Sequence, residues 1–515
     1  MEARPGMSTR PPSTESTRAD VPSPGHAVPR RRWLLLLALA PLLALLAIAG
    51  SWWRARASSA RVRSIAVLPF ADLTHTPDQD WFGDGITGEI IDGLAPIPGL
   101  RVAAQVSSFQ FKNQPRDLHR IGVELGVAAV LQGRIQETAG RLNAAVELVR
   151  AEDGYRLWSA TINPPAGDAY SLQREIVRAL ALRIQIGAAL RTPPHLPSAQ
   201  AYNAYLEGRA LFGRPGDDSL TRAAELFAGA TRFDPDFAMA WAWQSIATEY
   251  RVDAGQVHSN EAMPAARDAA ERAVALDAGA AAPHLALAIV LLQYDWDWSA
   301  ARQELDRALQ LSPGSAFAQH WLAHWYETQG RLDDAIRQMQ SALTLDPLSD
   351  EMLRDVVNQF LASANPSAAL PFAQKAASLF PQDPRVQSSL IGALFYAGKR
   401  DQARQLSARS APSWQSARWS AILGEPGDAQ SLLDQADILR DELHIPAVAL
   451  ASVAAAAGDW DRVFDWLNIA YDERSVHLPY ARLDARIPAA DPRFIELLDK
   501  MNLPPAANSS AAGGQ

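Results

Sequence analysis

Residues 316–349 read AFAQHWLAHWYETQGRLDDAIRQMQSALTLDPLS, and the spacing of small residues and proline in this stretch decides the fold of most of the chain. Ala335 has counterparts at Ala301, Ala369 and Ala403, Ala342 at Ala308 and Ala376, and Pro347 at Pro313 and Pro381, always 34 residues apart. Three registers sharing one period define a repeat of two helices. Small side chains are required where the antiparallel helices of a unit, and successive units, approach closely. The proline ends the second helix because it lacks an N–H and collides with the preceding turn.

This unit resembles the tetratricopeptide repeat. It matches that family's pattern at Leu322, Ala323, Tyr326, Gly330, Ala335, Ala342 and Pro347, and departs from it at Gln319, where the pattern has tryptophan, with Trp321 two residues on. Clear units run from about residue 282 to 410, another fits around 216–235 through Ala223, Phe227, Ala230 and Pro235, and a degenerate one around 446–472 keeps Gly458. The resemblance implies an all-α solenoid of six or seven helix pairs over residues 201–503.

Within the repeats, YDWDW at 294–298 sets two aspartates between tryptophans, the residues a saccharide cleft uses to stack a ring and move protons. The period argues for architecture instead. Trp298 stands three residues before Ala301, as Leu332 does before Ala335; Trp296 falls where Gly330 lies in the turn; and Trp460 stands three residues before Val463. The expectation is a lengthened turn with Trp298 packed inward, Asp297 or Ser299 capping the next helix, and both carboxylates solvated.

Toward the amino terminus the period is lost. RTPPHLPSAQ at 191–200, with three prolines in five residues, reads as a linker. Residues 64–190 read as a small α/β domain. SIAVLPF (64–70), LRVAAQV (100–106), AAVLQGRIQE (128–137), RLNAAVELVRA (141–151) and YRLWSATI (155–162) are its strands. WFGDGITGEIIDGLAPI (81–97), DLHRIGVELG (117–126) and residues 168–190 are its helices. Residues 33–53 carry no charge, are long enough to cross a hydrocarbon core of about 30 Å, and are flanked by Trp33, Trp52 and Trp53, which together read as a single transmembrane helix. A cleaved signal peptide is the rival, since AIA at 47–49 suits a signal peptidase. Arginines on both flanks leave orientation undecided by charge, and either a tail-inside anchor or cleavage places the bulk of the chain outside the cytoplasm. Residues 1–32 and 504–515 read as disordered tails. The fold class is thus multidomain: a membrane helix, a small α/β domain and an all-α repeat solenoid.

The 515 residues carry a net charge of −9, which gives no electrostatic footprint for direct nucleic-acid binding. The absence of cysteine excludes disulfides, thiolate metal sites and cysteine nucleophiles. His320, His324 and Glu327 share one helical face at i, i+4 and i+7, a spacing that suits zinc, but a single helix contributes them and the sequence offers no further ligand. The expectation is therefore no metal and no cofactor. GDGITGE at 83–89 places three glycines where a strand passes into a helix and lacks the lysine of a phosphate loop. SSFQFK at 107–112 reads as a buried cluster at the domain edge.

IAVLPFADLT, WFGDGITGEIIDGLAPIPGLRVAAQVSSFQFK, IGVELGVAAVLQGRIQE and DGYRLWSATI resemble the α/β domain similar to the amino-terminal part of TolB. That domain occurs in bacterial membrane-anchored regulators of the CadC-like type and in certain adenylate cyclases. YDWDWSAARQELDRALQLSPGSAFAQHWLA and LDARIPAADPRFIELLDKMNLP resemble the repeats that follow it there. Such relatives commonly carry a DNA-binding or cyclase domain before the membrane helix, for which the roughly thirty residues here leave no room. The resemblance implies a non-enzymatic scaffold or sensor of the bacterial inner membrane, its bulk periplasmic, acting in signal transduction or regulation through partners; an envelope assembly factor is the alternative. The repeat groove is expected to bind a protein or peptide partner through His320, His324, Glu327, Arg354, Asn358, Arg385, Phe395 and Tyr396.

Overall fold

The computed structural model describes residues 62–504 apart from 75–80, 115–116, 166, 185–190, 215–216, 412, 425, 437, 439, 441–444 and 485. The membrane helix expected at 33–53, the amino-terminal tail and all but the first residue of the carboxy-terminal tail lie outside these residues. Among the described residues no helix is long and apolar enough to cross a membrane.

The α/β domain is one sheet of β1 (Ser64–Val67), β2 (Ala71–Asp72), β3 (Arg101–Val102), β4 (Ala129–Thr138), β5 (Arg141–Arg150) and β6 (Arg156–Ile162). Its order is β3-β1-β4-β5-β6, with β2 pairing farther along β4. β1 is parallel to β3 and β4, while β4, β5 and β6 form an antiparallel meander. The hairpin turn between β4 and β5, Ala139–Gly140, has φ of 51° and 69°, the left-handed pair that a two-residue connection needs. Alternation sorts the sheet's side chains. Ile65, Val67, Leu131 and Ile135 face α1 (Trp81–Leu94), while Ala66, Leu68 and Val130 share a cluster with Ile121 and Leu125 on the other face.

Two expectations for this domain need correction. LRVAAQV is a strand only at Arg101–Val102, because the chain turns at once into α2 (Gln105–Phe109). The glycines of GDGITGE lie inside α1 rather than in a turn. A Cβ at Gly85 would sit 2.6 Å from the Leu206 carbonyl oxygen, so glycine is there to admit another helix.

That other helix opens the solenoid. After α3 (Leu118–Glu124) and α4 (Ala169–Arg183), eight helix pairs follow among the described residues, where six or seven were expected. They are α5 (Ala199–Phe212) with α6 (Asp217–Phe233), α7 (Ala238–Asp253) with α8 (Ser259–Leu276), α9 (Ala281–Val290) with α10 (Trp298–Leu311), and α11 (Ala316–Thr328) with α12 (Leu332–Leu345). Then come α13 (Asp350–Ala362) with α14 (Pro366–Leu379), α15 (Pro384–Tyr396) with α16 (Arg400–Ser407), α17 (Trp414–Leu423) with α18 (Pro426–Asp434), and α19 (Ala447–Ala457) with α20 (Trp460–Asp472). A 3-10 turn at Leu478–Leu483 and α21 (Pro492–Lys500) end the described chain.

The alanines that define the period are all fully buried between helices. A fourth register appears in the backbone: Trp296, Gly330, Ala364 and Gly398, each 34 residues after the last, have φ of 58°, 69°, 56° and 74°. Each ends the first helix of its unit in the left-handed conformation that frees the chain to reverse. A non-glycine residue there costs about 1–2 kcal/mol, partly offset by glycine's greater freedom when unfolded. Ala364→Gly is therefore expected to stabilise the protein by about 0.5–1 kcal/mol in urea unfolding.

YDWDW is architecture. A short π-turn (Leu291–Asp295) lengthens the first helix, Trp296 makes the reversal, and the Asp297 carboxylate accepts a hydrogen bond from Ala300 N at 2.9 Å, capping α10. Trp298 is buried as expected, whereas Trp460 is exposed. Asp295, expected to be solvated, is instead partly buried and forms an ion pair with the more exposed Arg267.

The solenoid closes on the α/β domain and on itself. Ala104 N donates to Leu345 O at 2.8 Å and Gly314 N to Ala95 O at 3.2 Å, joining backbone to backbone. Ser107, from the SSFQFK cluster, donates through N and Oγ to the buried Asp346 carboxylate, whose pKa burial raises to about 6 despite those bonds. At the far end Trp298 Nε1 donates to Met501 O at 2.8 Å and Arg482 Nη1 to Thr328 O at 2.7 Å, so the carboxy-terminal segment docks against the middle units.

Candidate functional site

The solenoid curves around a large, partly open cavity of about 2560 Å³. Its walls come from the first helices of successive units, from α1 and α2, and from the 3-10 turn near the carboxy terminus. Two clusters of polar side chains on these walls have unusual chemistry.

The first sits on α11 and α13. His320 Nε2 lies 2.8 Å from Asp355 Oδ2 and 3.0 Å from His324 Nε2, and His324 Nε2 lies 3.5 Å from the same Asp355 oxygen. His324 Nδ1 is 2.6 Å from Glu327 Oε2, and Gln359 Nε2 donates to Glu327 Oε1 at 2.7 Å. Burial opposes charge on His324, but the Glu327 and Asp355 carboxylates outweigh it and hold the imidazole well above its ordinary range. Burial likewise opposes ionisation of Asp355, yet hydrogen bonds from His320 and His324 keep it far below the usual carboxylate range. Tyr480, brought in by the 3-10 turn, packs its ring against His324 with centroids 5.3 Å apart.

The second cluster is cationic. Arg418 of α17 meets no hydrogen-bond or ion-pair partner among the described residues; it lies over the Trp419 ring at 5.5 Å, with its Nε buried and unpaired. Arg486 lies over the same ring at 5.8 Å and is held by both oxygens of Asp484 at 2.8 and 2.7 Å, leaving its Nη1 buried and unpaired. Burial and the neighbouring Arg486 push Arg418 down to about 10.

Of the residues expected to form the groove, His324, Glu327, Arg354, Asn358, Arg385 and Tyr396 line the cavity. His320 is fully enclosed behind them. Phe395 packs between Tyr396 and Trp419, with centroids 5.1 and 5.9 Å away. Arg385 is half-exposed and bound to Asp383 at 3.0 Å. The metal-like grouping also differs from the expected one: two helices contribute to it, and Asp355 takes the place expected for Glu327, which backs His324 instead. Asp355, Arg418, Tyr480 and Arg486 were not expected. Asp355 stands 35 residues after His320, one beyond the period, which was the available signal.

The fold and its interior define a tetratricopeptide-type helical-repeat protein closed on a small α/β domain. No family model matches the chain. Over 188 residues it is 31% identical to putative adenylate cyclase 3 of Rhizobium meliloti, a match covering 36% of this chain and 32% of that protein. The chain thus spans about a third of the length of this curated relative. Among solved structures, a human IFIT1 dimer with m7Gppp-AAAA gives a TM-score of 0.39 at 15% identity, covering 59% of this chain and 77% of that one. Pseudomonas aeruginosa PilF gives 0.31 at 19% identity, covering 48% and 98%. A thermophilic TPR protein from Thermus thermophilus gives 0.32 at 19%, covering 38% and 99%.

Proposed function

We propose that this chain is a non-enzymatic interaction protein of the bacterial inner membrane that encloses an acidic segment of a partner protein within its solenoid. The single observation that carries the reading is the pair Arg418 and Arg486: two guanidinium groups on the cavity wall that share one nearby carboxylate, Asp484, with Arg418 Nε and Arg486 Nη1 buried and unpaired. Two partly enclosed cations sharing one carboxylate leave an excess of positive charge there, and a partner carboxylate would offset it. Repeat solenoids recognise extended or helical peptides along the inner surface of their superhelix. The segment at 33–53 would anchor the chain, with the repeats on the periplasmic side. The match to a protein named as a putative adenylate cyclase supports a place in signal transduction, with the output supplied by the partner.

A photo-crosslinking residue at the exposed Asn358, in the full-length chain in native membranes, tests this. One dominant protein adduct is expected, lost in Arg418→Glu, with external protease reaching residues 201–503 only after the outer membrane is opened. An adduct pattern unchanged by Arg418→Glu, or repeats accessible only from the cytoplasm, would overturn it.

A further inference from the structure

We propose that His320, His324 and Asp355 form a binding site for a divalent transition-metal cation such as zinc, clamping two successive repeats together. The inference goes beyond the partner-binding reading and does not depend on it.

The three ligand atoms make a triangle with edges of 2.8, 3.0 and 3.5 Å. A metal bound at roughly 2.0–2.1 Å to imidazole nitrogen and carboxylate oxygen separates its ligands by roughly 2.9–3.4 Å, depending on whether it is octahedral or tetrahedral. One observed edge falls inside that range and the other two lie about 0.1 Å outside it.

The ring nitrogens turn toward the same point. His324 Nδ1 is taken up by Glu327, which leaves its Nε2 facing the triangle, and His320 Nδ1 is buried and unpaired, which leaves Nε2 as the bonded nitrogen of that ring. Two imidazole nitrogens and a carboxylate oxygen thus converge where one cation could accept all three.

The surroundings are those of a built site. His320 is fully enclosed and carried on the first helix of one unit, with Asp355 on the first helix of the next. Glu327 orients His324 through the ring nitrogen that faces away from the triangle, and the fully buried Gln359 fixes Glu327 in turn. That imidazole–carboxylate relay is the usual support for a metal-binding histidine. Two imidazoles and a carboxylate favour zinc and its first-row neighbours over magnesium or calcium, which take oxygen donors. His324 and Asp355 reach the cavity wall, which leaves a coordination position for water or a donor from an occupant. Because the ligands come from adjacent units, bound metal would fix the angle between them and stiffen the curvature that shapes the cavity.

The test uses the full-length chain, freed of metal by chelator dialysis and titrated with cobalt(II) and then zinc. Expected are one cobalt per chain with visible ligand-field bands, displacement by zinc, and a zinc-dependent rise in the melting temperature. Asp355→Ala and His324→Ala should each abolish saturable uptake while the far-ultraviolet spectrum stays helical; Asp355→Asn serves if the alanine variant does not fold. Glu327→Gln, which touches no metal, should weaken binding about 10–100-fold. No saturable uptake by the folded chain, or uptake unchanged in the Asp355 and His324 variants, would overturn the proposal.

Discussion

Arg209→Met is expected to lower the stability of the folded chain by about 3–5 kcal/mol at pH 8, the loss that follows when one partner of a buried ion pair is removed. Arg209 is 4% exposed, donates to Glu89 Oε1 at 2.7 Å, lies 2.9 Å from Asp92 Oδ2, and stacks on Trp243 at 3.9 Å. Methionine preserves most of the stem packing and removes the charge, so the effect reports the charge. Asp92 is half-exposed and contributes little, because solvent screens it. Glu89 carries the loss, since it is enclosed between α1 and α5 and also accepts from the Tyr205 hydroxyl at 2.8 Å.

The pH dependence follows from Glu89. Burial raises its pKa from 4.5 to about 7, against the pull of Arg209. Losing the cation raises it further, so in the variant the carboxyl takes a proton more readily when folded than when unfolded. A group shifted in that direction stabilises the fold most at low pH and loses its contribution as pH rises through the folded pKa. The destabilisation by Arg209→Met should therefore be smaller at pH 6 than at pH 8 in urea unfolding. A loss under about 1 kcal/mol at pH 8, or one that grows at pH 6, would show that the domain junction does not rest on this pair.

The same junction marks where sequence reasoning stops. The 34-residue period exposed the alanines and prolines because close packing between neighbouring units is local, repeating wherever the chain repeats. It also placed Trp296 in the turn, although only the backbone shows that the position is left-handed. Gly85 was misassigned because its reason for being glycine is Leu206, 121 residues later and in another domain. Asp355 escaped because a metal-like triangle between units depends on their superhelical rotation, which displaces the partner by one residue from the strict period. Arg418 lies where the repeat pattern has decayed, and Arg486 and Tyr480 reach the interior only because curvature accumulated over several units carries the carboxy-terminal segment back to the middle.

That return is what Trp298→Ala should break. The Trp298 side chain is buried, its Nε1 donates to Met501 O at 2.8 Å, and its own carbonyl accepts from Trp325 Nε1 at 2.7 Å. One tryptophan thus ties α10 to the end of α21 while its backbone ties α10 to the next unit. Truncation of a buried tryptophan costs about 3–5 kcal/mol, and the released segment should become the earliest site of limited proteolysis, near residues 492–503. Trp298→Phe keeps most of the apolar area but leaves Met501 O without its donor, for an expected loss of about 1–3 kcal/mol. Asp297→Ala removes only the cap on α10, expected to cost about 1 kcal/mol with the segment still docked. If Trp298→Ala left proteolysis and stability unchanged, YDWDW would have no part in closing the solenoid, and the interior cavity would lack the clasp on which its shape depends.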